Sequence, residues 1–179
     1  ESKRENHMTT LPQAVEEFLV AQAGAVSVST RQWYRQRLAK FLEFAGDIEV
    51  DKVTPAIIRA FRAYLVDREM SIHSIHGYQR AVRRLFSLLT AEKIVERNTA
   101  REVPLVRLPP QPPKALSDDD LARLLTRLPS EDVRDRAIIL MLADTGCRVG
   151  GLCSLSLDSL DLPNRCATVT EKGQRGRRI

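Results

Sequence analysis

Two cations toward the end of the chain have the types and setting for handling a phosphate. An apolar run from Ala137 to Ala143 leads into Asp144-Thr145-Gly146-Cys147-Arg148, so a helix delivers one arginine just past a glycine break. A guanidinium is permanently charged, and its planar fork matches phosphate oxygens. Held at a helix junction, it would be preorganised to stabilise a phosphorane-like transition state. Lys172 follows in the turn Glu171-Lys172-Gly173, where its ammonium could reach a groove of nucleic acid or protonate a leaving oxygen. Arg175, Arg177 and Arg178 add charge beside it. Each group also has a plainer reading. Arg148 could cap helix carbonyls or pair with Asp144 or Asp158, and Lys172 and the arginines could be a solvated basic loop. Spacing alone leaves both open.

The elements that must position these groups divide the chain in two. Residues 1–8 read as a flexible tail. Residues 9–101 read as four amphipathic helices, and no segment there alternates with the period of a strand. The first helix begins after Thr10 with Pro12 in its opening turn and stops at Gly24. The second starts near Ser29 or Thr30 and runs to Gly46, the third follows Thr54-Pro55, and the fourth runs from Ser71 or Ser74 to Glu92. Residues 102–115 hold Pro104, Pro109, Pro110, Pro112 and Pro113, which forbid helix and predict a semi-rigid extended linker. Residues 116–179 open on Ser117-Asp118-Asp119-Asp120, a strong helix start. A buried helix over about Asp132 to Asp144 and a short one after Arg148 come next. Cys166 to Thr170 reads as a strand, with a hairpin partner beginning at Arg177. The fold class is mainly α: a four-helix domain, a proline-rich linker, and an α+β portion with a short hairpin that looks cut off.

Composition narrows the function. The 179 residues carry 28 Lys and Arg against 23 Asp and Glu, a net charge of +5 that favours polyanion partners without proving one. Aromatic content of 5% argues against single-strand binding by serial base stacking. Three cysteines and three histidines show no metal-ligand spacing, so no metal or other cofactor is expected. No signal peptide or membrane-length apolar run is seen, and a cytoplasmic location is expected. No Gly-x-Ser-x-Gly and no P-loop occur. Tyr34, Tyr64 and Tyr78 lie at apolar-face positions of the helical domain and read as core.

Two helix faces of that domain are basic. The fourth helix offers Ser74, His76, Gln79, Arg80, Arg83 and Arg84; the second offers Ser29, Arg31, Arg35 and Arg37. A basic helix can lie in a major groove, its arginines reading base edges or gripping phosphates. Either face alone reads more simply as solvated; two in one small domain favour double-stranded DNA.

The residues from Arg134-Asp135 to Thr145-Gly146-Cys147-Arg148-Val149, then Leu152, Leu155 and Asp158, resemble the first catalytic-arginine box of the tyrosine recombinases, the phage-integrase family. Ala115 to Leu121 resembles the opening of that family's catalytic domain, and Val169 to Arg178 its lysine-bearing β-hairpin. Thr30, Tyr34, Leu38 and Phe41, with Ser74-Ile75, Ala81, Arg83 and Phe86, fall in the register of its SAM-like core-binding domain. Two positions depart from the pattern: Gly151 stands where the family carries an acidic residue, and Asn98-Thr99 where it carries Asn-Pro.

The resemblance implies site-specific DNA recombination of the integration or excision type through a 3′-phosphotyrosyl intermediate, without metal or nucleotide. Arg148 would bind non-bridging oxygens and Lys172 would protonate the departing 5′-oxygen. Arg175 and Arg177, with the two helix faces, would touch DNA. Four full-length protomers would assemble on two sites at the nucleoid of a mobile-element host. The second arginine, the accompanying histidines and the tyrosine nucleophile are expected beyond Ile179, so this polypeptide is expected to bind DNA without cleaving it. The rivals are a non-catalytic DNA-binding regulator with a recombinase-like clamp, and a helical module whose basic faces are only solvated.

Overall fold

The structure, a computed structural model, describes residues 9–110, 112, 115–171 and 175–179. It forms two compact units that divide between Gln111 and Pro112.

The first unit is built by α1 (Leu11–Ala21), α2 (Val28–Ala45), α3 (Pro55–Asp67) and α4 (Ile72–Ala91). Local chemistry sets each start. The Thr10 amide donates to Gln13 Oε1 at 3.0 Å, and the hydroxyls of Ser27, Thr54 and Ser71 accept from the amides of Thr30, Ile57 and Ser74. Helix α2 therefore begins slightly earlier than its sequence suggests, because Ser27 is the cap. Pro12 and Pro55 occupy first-turn positions, where their missing donors cost nothing. The apolar stripes meet around Phe18, Phe41, Phe61 and Phe86, all essentially inaccessible. Phe41 and Phe61 pack edge to face at 4.9 Å, as do Phe18 and Tyr34 at 5.1 Å. Tyr64 joins the rim, its hydroxyl donating to Glu43, whose carboxyl is held below its ordinary range chiefly by Lys40 and then by this bond.

The proline-rich linker is shorter than its composition indicates. Val103 is 1% exposed within the helical core, after a 3₁₀ turn at Thr99–Arg101. Two side chains of α4 hold this stretch of backbone. Gln79 donates to the Pro104 carbonyl at 3.3 Å and accepts from the Val106 amide at 2.9 Å, while Arg83 donates to the carbonyls of Ala100 and Val103. Residues 102–106 thus belong to the helical unit.

The second unit contains α5 (Asp118–Arg127), α6 (Val133–Thr145), α7 (Val149–Cys153) and an antiparallel sheet. The sheet has the order β1 (Leu160–Asp161), β2 (Cys166–Glu171), β3 (Arg175–Arg178). Ala167 and Val169 are buried while Thr168 and Thr170 are exposed, the alternation of a one-sided strand. Strand β3 begins two residues before the expected Arg177, with Arg175 paired to Glu171. Helix α6 corrects the sequence reading: none of its residues is buried, and Leu140 is 46% exposed. Its apolar residues are concentrated in the run Ala137–Ala143, and among the described residues of the unit α7 packs against it. Leu140 and Met141 line an open depression of 490 Å³ against Leu160, Ala167 and Ile179.

Two outcomes are expected. Gln79→Leu removes both bonds that hold the Pro104–Val106 backbone to α4, and should lower stability by about 2 kcal/mol in urea unfolding. Amides of α5 and α6 should exchange with deuterium faster than those of α1–α4, since neither helix has a buried residue; equal protection would contradict this expectation.

Candidate nucleic-acid interface and arginine junction

In the helical unit, α2 and α4 bring most of the expected basic residues onto neighbouring surfaces. Arg35, Arg80 and Arg84 are exposed, and Arg31 and His76 half-buried. Arg80 and Arg84 stand one turn apart on a single ridge. Ser29 and Ser74 are spent on helix starts: Ser29 Oγ lies 3.0 Å from Ser27 Oγ, and Ser74 Oγ accepts from Ser71 Oγ at 2.9 Å.

Arg37 is more constrained. Its guanidinium lies 4.1 Å over the Trp33 ring and 5.6 Å from that of Tyr78, and its buried Nε has no acceptor among the described residues. Burial pushes this guanidinium below its ordinary value. Gly77 makes the arrangement possible, because a Cβ there would sit 3.1 Å from Arg37 Nε.

Two of the expected DNA contacts are engaged within the helical unit. Gln79 is 3% exposed and both ends of its amide are bound to backbone, so it cannot read a base. Arg83 has its Nε and one terminal nitrogen committed to Ala100 and Val103. Conversely, Arg101 carried no local signal in the sequence, yet it joins Arg80, Arg83 and Arg84 around a cleft of 420 Å³ bordered by Trp33 and Tyr34.

In the second unit, α6 ends as its sequence dictates. Gly146 adopts φ +57°, the left-handed cap that a glycine reaches at no steric cost. Thr145 Oγ1 donates to the Met141 carbonyl and accepts from the Cys147 amide at 3.2 Å. Cys147 is buried and pins the turn; Arg148 then emerges exposed as the N-cap of α7, its carbonyl accepting from the amides of Gly151 and Leu152. The junction therefore presents a guanidinium on a fixed backbone, as preorganised charge stabilisation requires.

Lys172 lies outside the described residues; the strands on either side of it are in register. Arg177 is not simply a DNA-facing cation. Its Nη2 donates to the Thr145 carbonyl at 2.9 Å, joining β3 to the C-terminal end of α6, where the helix dipole favours positive charge. Arg178 stays exposed while bonding to Cys166 Sγ at 3.0 Å and lying 3.7 Å from Asp161. The backbone of Arg175 pairs with Glu171. Among the described residues no cluster of three or more His, Cys, Asp or Glu could hold a metal, and no helix is long and apolar enough to cross a membrane.

The model of the phage integrase SAM-like domain matches residues 10–103, and that of the phage integrase family matches residues 114–179. The chain belongs to the phage integrase family. Curated relatives include tyrosine recombinase XerC of Thermodesulfovibrio yellowstonii, 34% identical over 155 residues that make up 84% of this chain and 51% of the relative. Tyrosine recombinase XerD of Vibrio vulnificus is 30% identical over 172 residues, 92% of this chain and 56% of the relative. The chain thus spans about half the length of these relatives. Among solved structures, a lambda integrase tetramer bound to a Holliday junction matches with a TM-score of 0.83 at 17% identity, over 98% of this chain and 52% of the other. A lambda integrase dimer on a COC′ core site matches at 0.81 and 16% identity, over 97% and 49%. These likenesses establish the integrase fold for this phage integrase family member, mostly helical with a small antiparallel sheet.

Arg177→Ala removes the bond between hairpin and helix end. The expected result is a loss of about 1 kcal/mol and faster deuterium exchange at Thr168 to Thr170, with the helical unit unchanged. Unaltered exchange in β2 would show that the bond does not hold the hairpin.

Proposed function

We propose that this chain is the DNA-gripping portion of a site-specific tyrosine recombinase of the integration or excision type, acting on the nucleoid in the cytoplasm. The observation that carries the proposal is the Arg148 junction: an exposed guanidinium on a turn locked by Gly146, Cys147 and Thr145, beside a hairpin tied to that turn through Arg177. Membership of the family supports the assignment across both units.

In the reaction, a tyrosine oxygen bonds to the scissile phosphorus and the bond to the 5′-oxygen breaks, leaving the protein on the 3′-phosphate. Arg148 holds the non-bridging oxygens, whose negative charge grows in the transition state. Lys172 supplies the proton to the departing 5′-oxygen. Tyr34, Tyr64 and Tyr78 are committed to the helical unit, so none of them is assigned as nucleophile. The α2 and α4 faces hold the duplex, and four full-length protomers pair two sites.

The buried glycine at 151, in place of an acidic residue, favours one rival, a regulator that keeps the clamp without the chemistry. Cleavage separates the two. Arg148→Ala in the full-length protein should lower strand cleavage by about 10²–10³ or more while site binding stays close to that of the unaltered protein; retained cleavage would remove the proposed role. The 179-residue polypeptide alone should bind duplex DNA with an affinity that falls steeply with salt. It should form no covalent adduct on a nicked suicide substrate, and an adduct would refute the assignment of the nucleophile.

A further inference from the structure

The segment by which the chain leaves the helical unit is held by a polar residue in an apolar place. Gln79 lies in the buried stripe of α4 and is 3% exposed. A leucine would pack there without partners, whereas a buried amide is costly unless both its ends are bonded. Gln79 meets that condition through one short stretch of backbone. Its Nε2 donates to the Pro104 carbonyl at 3.3 Å, and its Oε1 accepts from the Val106 amide at 2.9 Å. Leu105 is thereby flanked by the two bonds that a neighbouring strand would supply. Here one side chain takes the place of the strand.

Residues 104–106 have no regular secondary structure, and Pro104 is exposed. As far as Val103 the chain is secured by burial and by Arg83, which bonds the carbonyls of Ala100 and Val103. Beyond Val103 the polar hold passes to Gln79, with Val106 half-buried against the core. This latch sets the length of the connection. An extended chain spans at most about 3.5 Å per residue, so from Val106 to Ser117, the cap of α5, the connection reaches about 38 Å. Released as far as Val103, it would reach about 49 Å. Pro109, Pro110 and Pro112 fix φ within it, so added length becomes stiff reach rather than slack. The same turn of α4 carries Arg80 on its exposed side. The exit of the chain is therefore tied to the ridge that faces DNA.

Resting on the recombinase reading above, we propose that Gln79 is a positioning residue for the reaction. By holding residues 104–106 it sets the spacing, in base pairs, between the DNA gripped by the helical unit and the phosphate engaged by Arg148. One added base pair moves a grip by about 3.4 Å along the axis and about a tenth of a turn around it, on the order of 7 Å in all at the duplex surface. The three residues that Gln79 holds down correspond to about 11 Å at full stretch, enough to cover one such step. A tether that cannot span its two sites loses the second contact altogether. The latched protein thus accepts one spacing, and an unlatched one accepts that spacing and the next.

Gln79→Met keeps the length of the side chain, packs as an apolar residue and removes both bonds. The helical unit holds Trp33, the only tryptophan, and the second unit holds all three cysteines, of which Cys153 is exposed. With a dye on Cys153, time-resolved energy transfer from Trp33 in the 179-residue protein should show a broader distance distribution for Q79M, with a longer tail. In the full-length protein, strand cleavage is measured on the preferred site and on the same site with one base pair inserted between the segment protected by the helical unit and the scissile phosphate. The unaltered protein should cleave the lengthened site at least about tenfold more slowly. Q79M should cleave it nearly as fast as the preferred site. Deleting residues 107–109 from Q79M shortens the connection by the three residues released, and should restore the discrimination. A merely structural role would lower cleavage of both sites by one factor and leave their ratio alone. That outcome, an unchanged distance distribution, a lengthened site tolerated by the unaltered protein, or a deletion that restores nothing would overturn the proposal. Cleavage of neither site by the unaltered full-length protein would instead remove the recombinase reading.

Discussion

The close crossing of α2 and α4 at Gly77 is the constraint on which the helical unit's surface depends. A Cβ there would sit 3.1 Å from Arg37 Nε, a tight approach, and 3.5 Å from Trp33 Cζ2, an ordinary contact. With hydrogen in that place, the two helices approach closely and Arg37 lies across the seam between indole and phenol. The approach also brings the arginines of α4 beside Trp33 and Tyr34. Charge on this surface is thus arranged by packing beneath it. The desolvation of the Arg37 and Arg83 guanidinium groups is offset by aromatic faces and backbone carbonyls.

The two units solve the burial problem differently. The helical unit closes four apolar stripes on one another and buries its phenylalanines almost completely. The second unit orders its backbone through caps, turns and strand pairing, with few side chains inaccessible: among the described residues, Cys147, Ala167 and Val169 are its buried hydrophobics. Its arginine junction is consequently held by local hydrogen bonds. Gly146 reverses the chain, Thr145 ties both sides of the reversal, and Arg177 braces it from the hairpin.

Much of the fold was legible because capping chemistry is local. Thr10, Thr54, Ser71 and Ser117 mark helix starts within a residue of where the chain turns. The misplaced side chains are informative. Gln79 lies four residues after Ile75 and three before Val82, inside the buried stripe of α4, so periodicity alone argued for burial; its polarity suggested a surface role instead. His76, Arg80 and Arg84 repeat every four residues on the opposite ridge. The exposure of α6 was not legible, because apolarity shows that a helix can be buried and does not show which neighbours are available. Arg101 escaped notice for a similar reason: its partners are far away in sequence on α2 and α4. The two-residue strand β1 is too short to have a period.

The bond from Arg177 to Thr145 has a mechanical meaning. Strand β3 is the edge of the sheet, paired on one side to β2 alone. Pinned at Arg177 to the end of α6, that edge strand and the helix end are mechanically one piece. Load carried by β3 therefore passes through the Thr145 carbonyl into the turn that carries Arg148.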